Sequence, residues 1–557
     1  MEVGLHVDPE AVEALRVTID TVLQSVAERL EANDLIKQYQ NSRLPAAQKK
    51  HAAEATACLR DRDYYMKEFK SSDIVHRTWV VNTYLHHINK EGDKKDKWTL
   101  KDLKQYNIFL KDAFIGAIVE KRNLTNENGA VLCGMHNLAM YKLNLWNRPR
   151  LEKAEAPVVL DVFNPGSPKQ KSEFFAMLKI EPLARSKDTG EASWGRDQLE
   201  ELLKSHHEGD LHNALLALID FSFSAIIKNN FIKAFDSYTI DGVMHGNVRL
   251  FGAKSFRNTS NSPNLLNAPS SRSIYAKPLK RCFIAPDGYV IYTADLAALE
   301  DRVIANLSGD TNKQNIFLQG LDGHSLNSCG YWPERIEKVL GYANTDNVEY
   351  VKEFYRRIEE DKNEILKKIR FNSKEPTFKL AYGGFPDSDR PGGVITQEIF
   401  DNYHNVLYPG ITKYREEYVL PFTRANGYIH LGLGCRMYSS DAGQAIRTLN
   451  NATVQFWSIL TLIAINELNY RIAEEGLENY VQVCSTIYDS IYTYTIRDAG
   501  VLQWVNDNMI EVMTVPYLED ETIHNEATGE IGLNWADLHK IPNGASVDDI
   551  DMVLEAL

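Results

Sequence analysis

Cysteine is scarce. Six residues (Cys58, Cys133, Cys282, Cys329, Cys435 and Cys484) are scattered over 557 positions without C-x-x-C spacing. That argues against a disulfide framework and fits a reducing compartment. Cys133 and His136 in "CGMH" have no second pair nearby to complete a zinc site. No apolar run approaches the roughly 18 residues needed to span a bilayer, and the opening "MEVGLHVDPEAVEAL" lacks the basic-then-apolar pattern of a signal peptide. Both absences predict a soluble, cytoplasmic protein. Positive charge is also short: 62 Lys+Arg against 76 Asp+Glu give −14, which taken alone argues against a nucleic-acid binder.

What is present is ordinary globular composition, 44% hydrophobic and 25% charged, in a chain long enough for two to four subdomains. The charge is uneven. Residues 36–150 hold 21 Lys/Arg against 12 Asp/Glu, a balance of +9 inside an acidic protein.

Residues 8–32 predict a helix with Asp8 as N-cap and Pro9 at the first helical position. The basic segment, rich in Lys, Tyr and Trp, predicts short helices joined by polar loops. After the loop "FNPGSPKQ" come further helices, and from 246 strands and turns. "GYVIYTADLAALEDRVIANLSGD" (288–310) predicts a strand ending at Asp295, then an amphipathic helix. Long helices are predicted over 348–383 and 440–474. "VQVCSTIYDSIYTYTI" predicts two short strands, and a last helix–strand unit ends in "GEIGLNWADL".

Asp489 interrupts a β-branched, aromatic run, and Asp295 ends another. Two strands can each present one carboxylate at one sheet edge, and a pair of Mg²⁺ ions, which prefer oxygen ligands, would offset their repulsion. Unrelated strand-end aspartates are the alternative. In "RFNSKEPTFKLAYGG", Arg370, Lys374, Phe378 and Tyr382 recur every four positions, so two cations and two aromatics share about 120° of a helix. That face suits a nucleoside triphosphate; a solvated basic end running into a core aromatic pair is the alternative. Pro376 predicts a kink between the two halves. Arg447, Asn451 and Gln455 form a second four-residue series, fit for minor-groove acceptors or for plain polar surface.

Together these sites resemble DNA polymerase family A. "DLAALEDR" is similar to that family's first metal motif, "RFNSKEPTFKLAYGG" to its finger helix, and "IYDS" stands where its second metal aspartate occurs. "RNTSNSPNLLNAP", "LDGHS", "EVGLHVDPE" and "FNPGSPKQ" resemble further landmarks, in the family's order from about residue 2 to residue 538.

The resemblance implies an α+β right-hand polymerase fold with an antiparallel-sheet palm, helical fingers and a helical thumb. It implies thumb over 1–35 and 156–250 with a basic insertion at 36–155, palm over 251–315 and 431–540, fingers over 316–430, and an acidic tail at 541–557. Asp295, Asp489 and the Leu296 carbonyl would hold two Mg²⁺. Arg370, Lys374 and His324 would bind the triphosphate, with Lys374 as proton donor to pyrophosphate. Glu300 would crowd a ribose 2′-hydroxyl, Phe378 would discriminate against dideoxynucleotides, and Tyr382 would flank the templating position. Arg257, Asn451 and Gln455 would touch the minor groove of primer–template DNA, and Arg447 the primer backbone.

Tyr488, Ser490, Leu296, Ala298, Asp301, Phe256 and Pro376 depart from the usual pattern. The P-T-F and Y-D-S variants look like the phage branch, implying viral replication in a host cytoplasm. The 3′–5′ exonuclease region has no counterpart here, so proofreading is expected to be absent, either because the sequence is truncated or because the exonuclease is a separate polypeptide. The insertion is expected to grip duplex DNA or a processivity partner, or to be a structural insertion with a solvated basic face. The tail is expected to pack locally or dock a partner. Alternatives to a DNA polymerase are an inactive DNA-binding scaffold and, from Ser490, a single-subunit RNA polymerase.

Overall fold

The computed structural model describes residues 3–69, 162–185, 190–253, 255–269, 273–344, 347–388, 393–439, 452–519 and 521–557, and side chains of 57–69 are outside the description. Most of the basic insertion, Cys133, His136, Arg447 and Asn451 therefore lie outside the described residues. The chain divides into two compact units: Met1–Ala27, Glu181–His207 and Leu215–Leu557 form one, and Glu28–Ile180 with Glu208–Ala214 the other.

In the larger unit a five-stranded antiparallel sheet runs in the order Val481–Ile487, Ser490–Ile496, Tyr289–Leu296, Ala527–Gly532, His539–Ile541. Tyr289–Leu296 is central and covered on both faces. Val290, Tyr292, Ala294 and Leu296 point into a large core shared with helix Ala499–Met513 and the helices after residue 299; Ile291 points into a second core with Cys484 and Tyr494. Alternation of side chains across a strand produces this division. The Tyr292 hydroxyl donates to Asn506 Oδ1 at 3.0 Å, and a Cβ on Gly529 would lie 2.5 Å from that hydroxyl. Only glycine fits opposite this pair.

The second core includes Leu5 and Val7 of a three-residue strand. That strand sits inside a four-stranded sheet with Thr239–Ile240, Val243–Met244 and Phe283–Ile284. The next helix, Pro9–Ala32, starts as expected: Asp8 Oδ1 accepts from the amides of Glu10 and Ala11 at 2.8 and 3.2 Å.

Three expectations need correction. The basic segment begins as one helix, Asp34–Phe69, rather than short ones; Asn33 Oδ1 caps it through the amides of Leu35 and Ile36. The helix expected over 348–383 is two, Asn347–Glu359 and Glu364–Ala381, because Asn363 Oδ1 accepts from the amides of Ile365 and Leu366 and starts a new first turn. Finally, Gly209–Tyr238 contains an 18-residue window with mean hydropathy 1.4, long and apolar enough to cross a membrane. Its Ile227, Phe231, Ile232 and Phe235 are nevertheless core residues beside Leu5 and Val7. Among the described residues Cys282, Cys329, Cys435 and Cys484 are free thiols.

In the smaller unit Tyr39 packs edge-on against Phe163 and Phe174 and donates its hydroxyl to Glu173 at 2.7 Å.

Candidate active site

Ile487 pairs with Ser490, so Tyr488 and Asp489 form a two-residue hairpin turn. Tyr488 occupies the left-handed region at φ +54, which costs a non-glycine residue about 1 kcal/mol. The turn places Asp489 beside the end of the central strand. Ser490 pairs with Asp295, its hydroxyl donates to Asp295 Oδ1 at 2.5 Å, and the Leu296 amide donates to the Asp489 carbonyl at 3.2 Å. The two strand-end carboxylates thus stand at one edge of one sheet.

Their environments differ. Asp295 is exposed. Burial raises the Asp489 carboxyl to about 6, against an opposing pull from Arg257 and with a further push from Asp295, and its Oδ1 is buried without a hydrogen-bond partner. A buried carboxylate oxygen lacking a donor is costly unless a cation or proton meets it. Two carboxylates plus a main-chain carbonyl are the hard oxygen donors that Mg²⁺ takes. The residues present fit such an ion. Among the described residues no cluster of three or more His, Cys, Asp or Glu side chains supplies another metal site.

The residue after Leu296 and Ala297 is Ala298, at φ +52, and it starts helix Leu299–Ser308, which carries Glu300. Arg257 donates to Glu300 Oε1, and its guanidinium carbon lies 5.5 Å from the Tyr488 ring centroid. Arg257 thereby joins Glu300 to the turn that holds Asp489. Phe256, at φ +65, packs its ring 5.8 Å from Phe456.

Helix Glu364–Ala381 remains helical through Pro376. Leu366, Ser373, Thr377 and Leu380 are buried on one side, leaving Arg370, Lys374 and Phe378 to the other stripe. The Arg370 guanidinium is already bound: Nε and Nη2 reach the two oxygens of Asp322 at 2.8 and 2.6 Å. Asp322 also caps helix Gly323–Tyr331 by accepting from the Ser325 amide at 2.7 Å. Burial pushes the Asp322 carboxyl up, but the bonds from Arg370 and Ser325 outweigh it and leave the carboxyl below its ordinary value.

His324, on the same short helix, sits 5.9 Å from the Phe378 ring. Burial, with Lys374 and Arg370 nearby, lowers it to about 4 despite Asp322, so at neutral pH it is an uncharged imidazole. Tyr382, at the end of helix Glu364–Ala381, is half-buried, and so is Gln455, in a helical stretch described from Ala452 onward. Behind His324 and Phe378 lies a cavity of about 240 Å³ that also touches Asp301, Lys313 and Tyr403. Asp301 answers a buried cation there, receiving Lys313 Nζ at 2.8 Å.

The fold has a counterpart of known structure. The POL domain of Pol1 from M. smegmatis, solved in complex with DNA primer-template and dNTP, superposes with a TM-score of 0.54 over 67% of this chain and 61% of that one, at 22% identity. The sequence profile of DNA polymerase family A matches residues 141–339. This chain is thus similar to the family A DNA polymerases. DNA polymerase I of Chloroflexus aurantiacus is 25% identical over 405 residues, 69% of this chain and 38% of that protein. The DNA polymerase of Escherichia phage T5 is 23% identical over 395 residues, 65% of this chain and 43% of that protein. The chain thus spans less than half the length of these curated relatives.

Set against the family pattern, the fold brings Asp295, Asp489, Glu300 and Arg257 into one group and Arg370, His324 and Phe378 into another. Sequence reading missed the partners that hold the cations, Asp322 for Arg370 and Asp301 for Lys313. Asp322 carried a local signal, an acid three residues before Ser325 at a helix start. Asp301 stood out only as a departure from the family.

Proposed function

We propose that this chain is a template-directed DNA polymerase that adds deoxynucleotides to a primer 3′-hydroxyl, working in viral DNA replication in a host cytoplasm. The observation that carries the reading is the acid pair at the sheet edge, one member exposed and the other half-buried with one oxygen buried and unpartnered. Asp295, Asp489 and the Leu296 carbonyl would hold the Mg²⁺ ions, which when bound lower the pKa of a hydroxyl nucleophile and stabilise a leaving pyrophosphate.

The chain's own residues do the positioning. Arg370 and Lys374 bind the triphosphate oxygens, Arg370 after exchanging Asp322 for phosphate, and Lys374 gives a proton to the departing pyrophosphate. Neutral His324 donates a hydrogen bond without adding charge. Glu300, held by Arg257, crowds a ribose 2′-hydroxyl, and Phe378 packs on the sugar. Tyr382 flanks the templating base, while Arg257, Asn451, Gln455 and Arg447 follow the primer–template. The phage T5 match supports the viral setting.

The test is primer extension with Mg²⁺ and the four deoxynucleotides. Wild type extends; Asp489→Ala and Asp295→Ala each lose roughly a thousandfold or more, since several kcal/mol of charge stabilisation disappear and about 1.4 kcal/mol is tenfold. Equal extension by wild type and Asp489→Ala would sink the assignment. Ribonucleotides in parallel separate an RNA polymerase, the second reading that Ser490 raises. Glu300 predicts rejection.

A further inference from the structure

A two-stranded ribbon, Tyr428–Gly432 with Cys435–Tyr438, and the helix before it take no part in the roles above. Tyr428 faces Tyr438 and His430 faces Arg436 across the strands. Successive side chains alternate faces, so these four share one surface. The other surface, with Ile429 and Leu431, is buried in the core. The outward side of a ribbon is commonly a mixture of small polar and charged groups. Here it carries two tyrosines, a histidine and an arginine.

The preceding helix extends that surface. Tyr414, Tyr418 and Phe422 recur every four residues, and Tyr414–Val419 is a π-helical stretch. Its wider turn brings residues four apart closer to eclipse than an α-helix does, and Tyr414 and Tyr418 stack at 5.5 Å with 28° between planes. Phe422 lies 5.6 Å from Tyr418 and 5.7 Å from Tyr428, whose ring is 5.7 Å from Tyr438. The Arg436 guanidinium stands 4.7 Å from the Tyr428 ring centroid. Tyr418 is 42% and Tyr438 74% exposed. The neighbouring acids Glu416 and Glu417 are each 3.8 Å from a cation of their own, Arg415 and Lys413.

This track is tied to the acidic edge. Trp457 packs so closely on Gly432 that a Cβ there would lie 2.5 Å from its ring. One helical turn on, the Thr461 hydroxyl donates to the carbonyl of Tyr488 at 3.3 Å, in the turn that carries Asp489.

We infer that the track is a stacking platform for the unpaired bases of a single DNA strand, the template strand ahead of the duplex. The inference rests on the polymerase reading for the identity of that strand. Every base has a π face, so the exposed rings of Tyr418 and Tyr438, backed by the half-buried Tyr414, Phe422 and Tyr428, bind single strands without sequence preference, and an arginine over one ring adds cation–π attraction and a phosphate partner.

The experiment compares full-length wild type with Tyr418→Ala/Tyr438→Ala and with Tyr418→Phe/Tyr438→Phe. Binding is read by fluorescence anisotropy on a blunt duplex, on the same duplex with a twelve-nucleotide oligo-dT 5′ overhang, and on one with an abasic overhang. Wild type and the phenylalanine variant should prefer the thymine overhang over the abasic one. The alanine variant should lose that preference, by about tenfold, with its blunt-duplex affinity unchanged. Equal preference in wild type and the alanine variant overturns the proposal, as does a wild type indifferent to the bases. Primer extension on the same samples separates the two readings: an overhang preference that depends on the rings, in a protein that extends nothing, sustains the platform and removes the polymerase.

Discussion

At the scale of single residues, the expected phosphate-binding cation meets a competitor. Arg370 is held bidentate by Asp322, whose own carboxylate caps a helix. Asparagine caps about as well as aspartate, so Asp322→Asn keeps the helix start while freeing the guanidinium. Steady-state kinetics should show the deoxynucleotide KM falling several-fold with kcat little changed; an unaltered KM would remove Arg370 from the triphosphate site. His404 makes a stability prediction. It is buried with Nδ1 2.7 Å from the Thr412 hydroxyl, and burial, helped by Arg415, lowers it to about 4. A folded-state pKa below the unfolded value of 6.5 favours the neutral ring in the fold. Its contribution is therefore full above pH 6.5 and lost as pH falls toward 4. From pH 7.5 to 5 the loss is on the order of 2 kcal/mol, and thermal unfolding of His404→Gln should be correspondingly less sensitive across that window.

At the scale of elements, the acidic tail forms a packed helix. Val547–Ala556 opens with a capping box between Ser546 and Asp549 and buries Ile550 and Leu554, and the Leu554 carbonyl accepts from Arg497 at 2.6 Å. Leu554→Ala should cost about 2–4 kcal/mol and Ser546→Ala about 1 kcal/mol, both read as lower unfolding midpoints. The strand 289–296, the hairpin around Asp489 and the first helix were legible because each rests on local signals, such as β-branched runs and an N-cap before proline. The break at 360–363 was not, since Asn363 looks like any polar helix residue until its side chain is seen capping. The strand Leu5–Val7 is too short to show a period and exists through its partners on either side. The ion pairs Arg257–Glu300, Arg370–Asp322 and Lys313–Asp301 join positions 43, 48 and 12 residues apart, so only the folded chain reveals them.

At the scale of the whole molecule, the proposed function asks a protein of net charge −14 to concentrate its positive charge. Residues 36–150 supply +9. Deleting 70–155 should weaken primer–template binding and flatten its dependence on salt, because fewer counterions are released on binding. Binding titrations between 50 and 200 mM salt measure the slope, and an unchanged slope would make the segment a spacer. The sheet order has a consequence for how such a chain is made. Asp295 and its partner Ser490 are 195 residues apart, and the strand on the other side ends at Gly532. On a ribosome the central strand must therefore wait, unpaired on both sides, until its partners at 490–496 and 527–532 have emerged. Folding of this sheet is then slow and late, and a product terminated before residue 489 carries helices Gly323–Tyr331 and Glu364–Ala381 without the pairing of Asp295 and Asp489 at one edge.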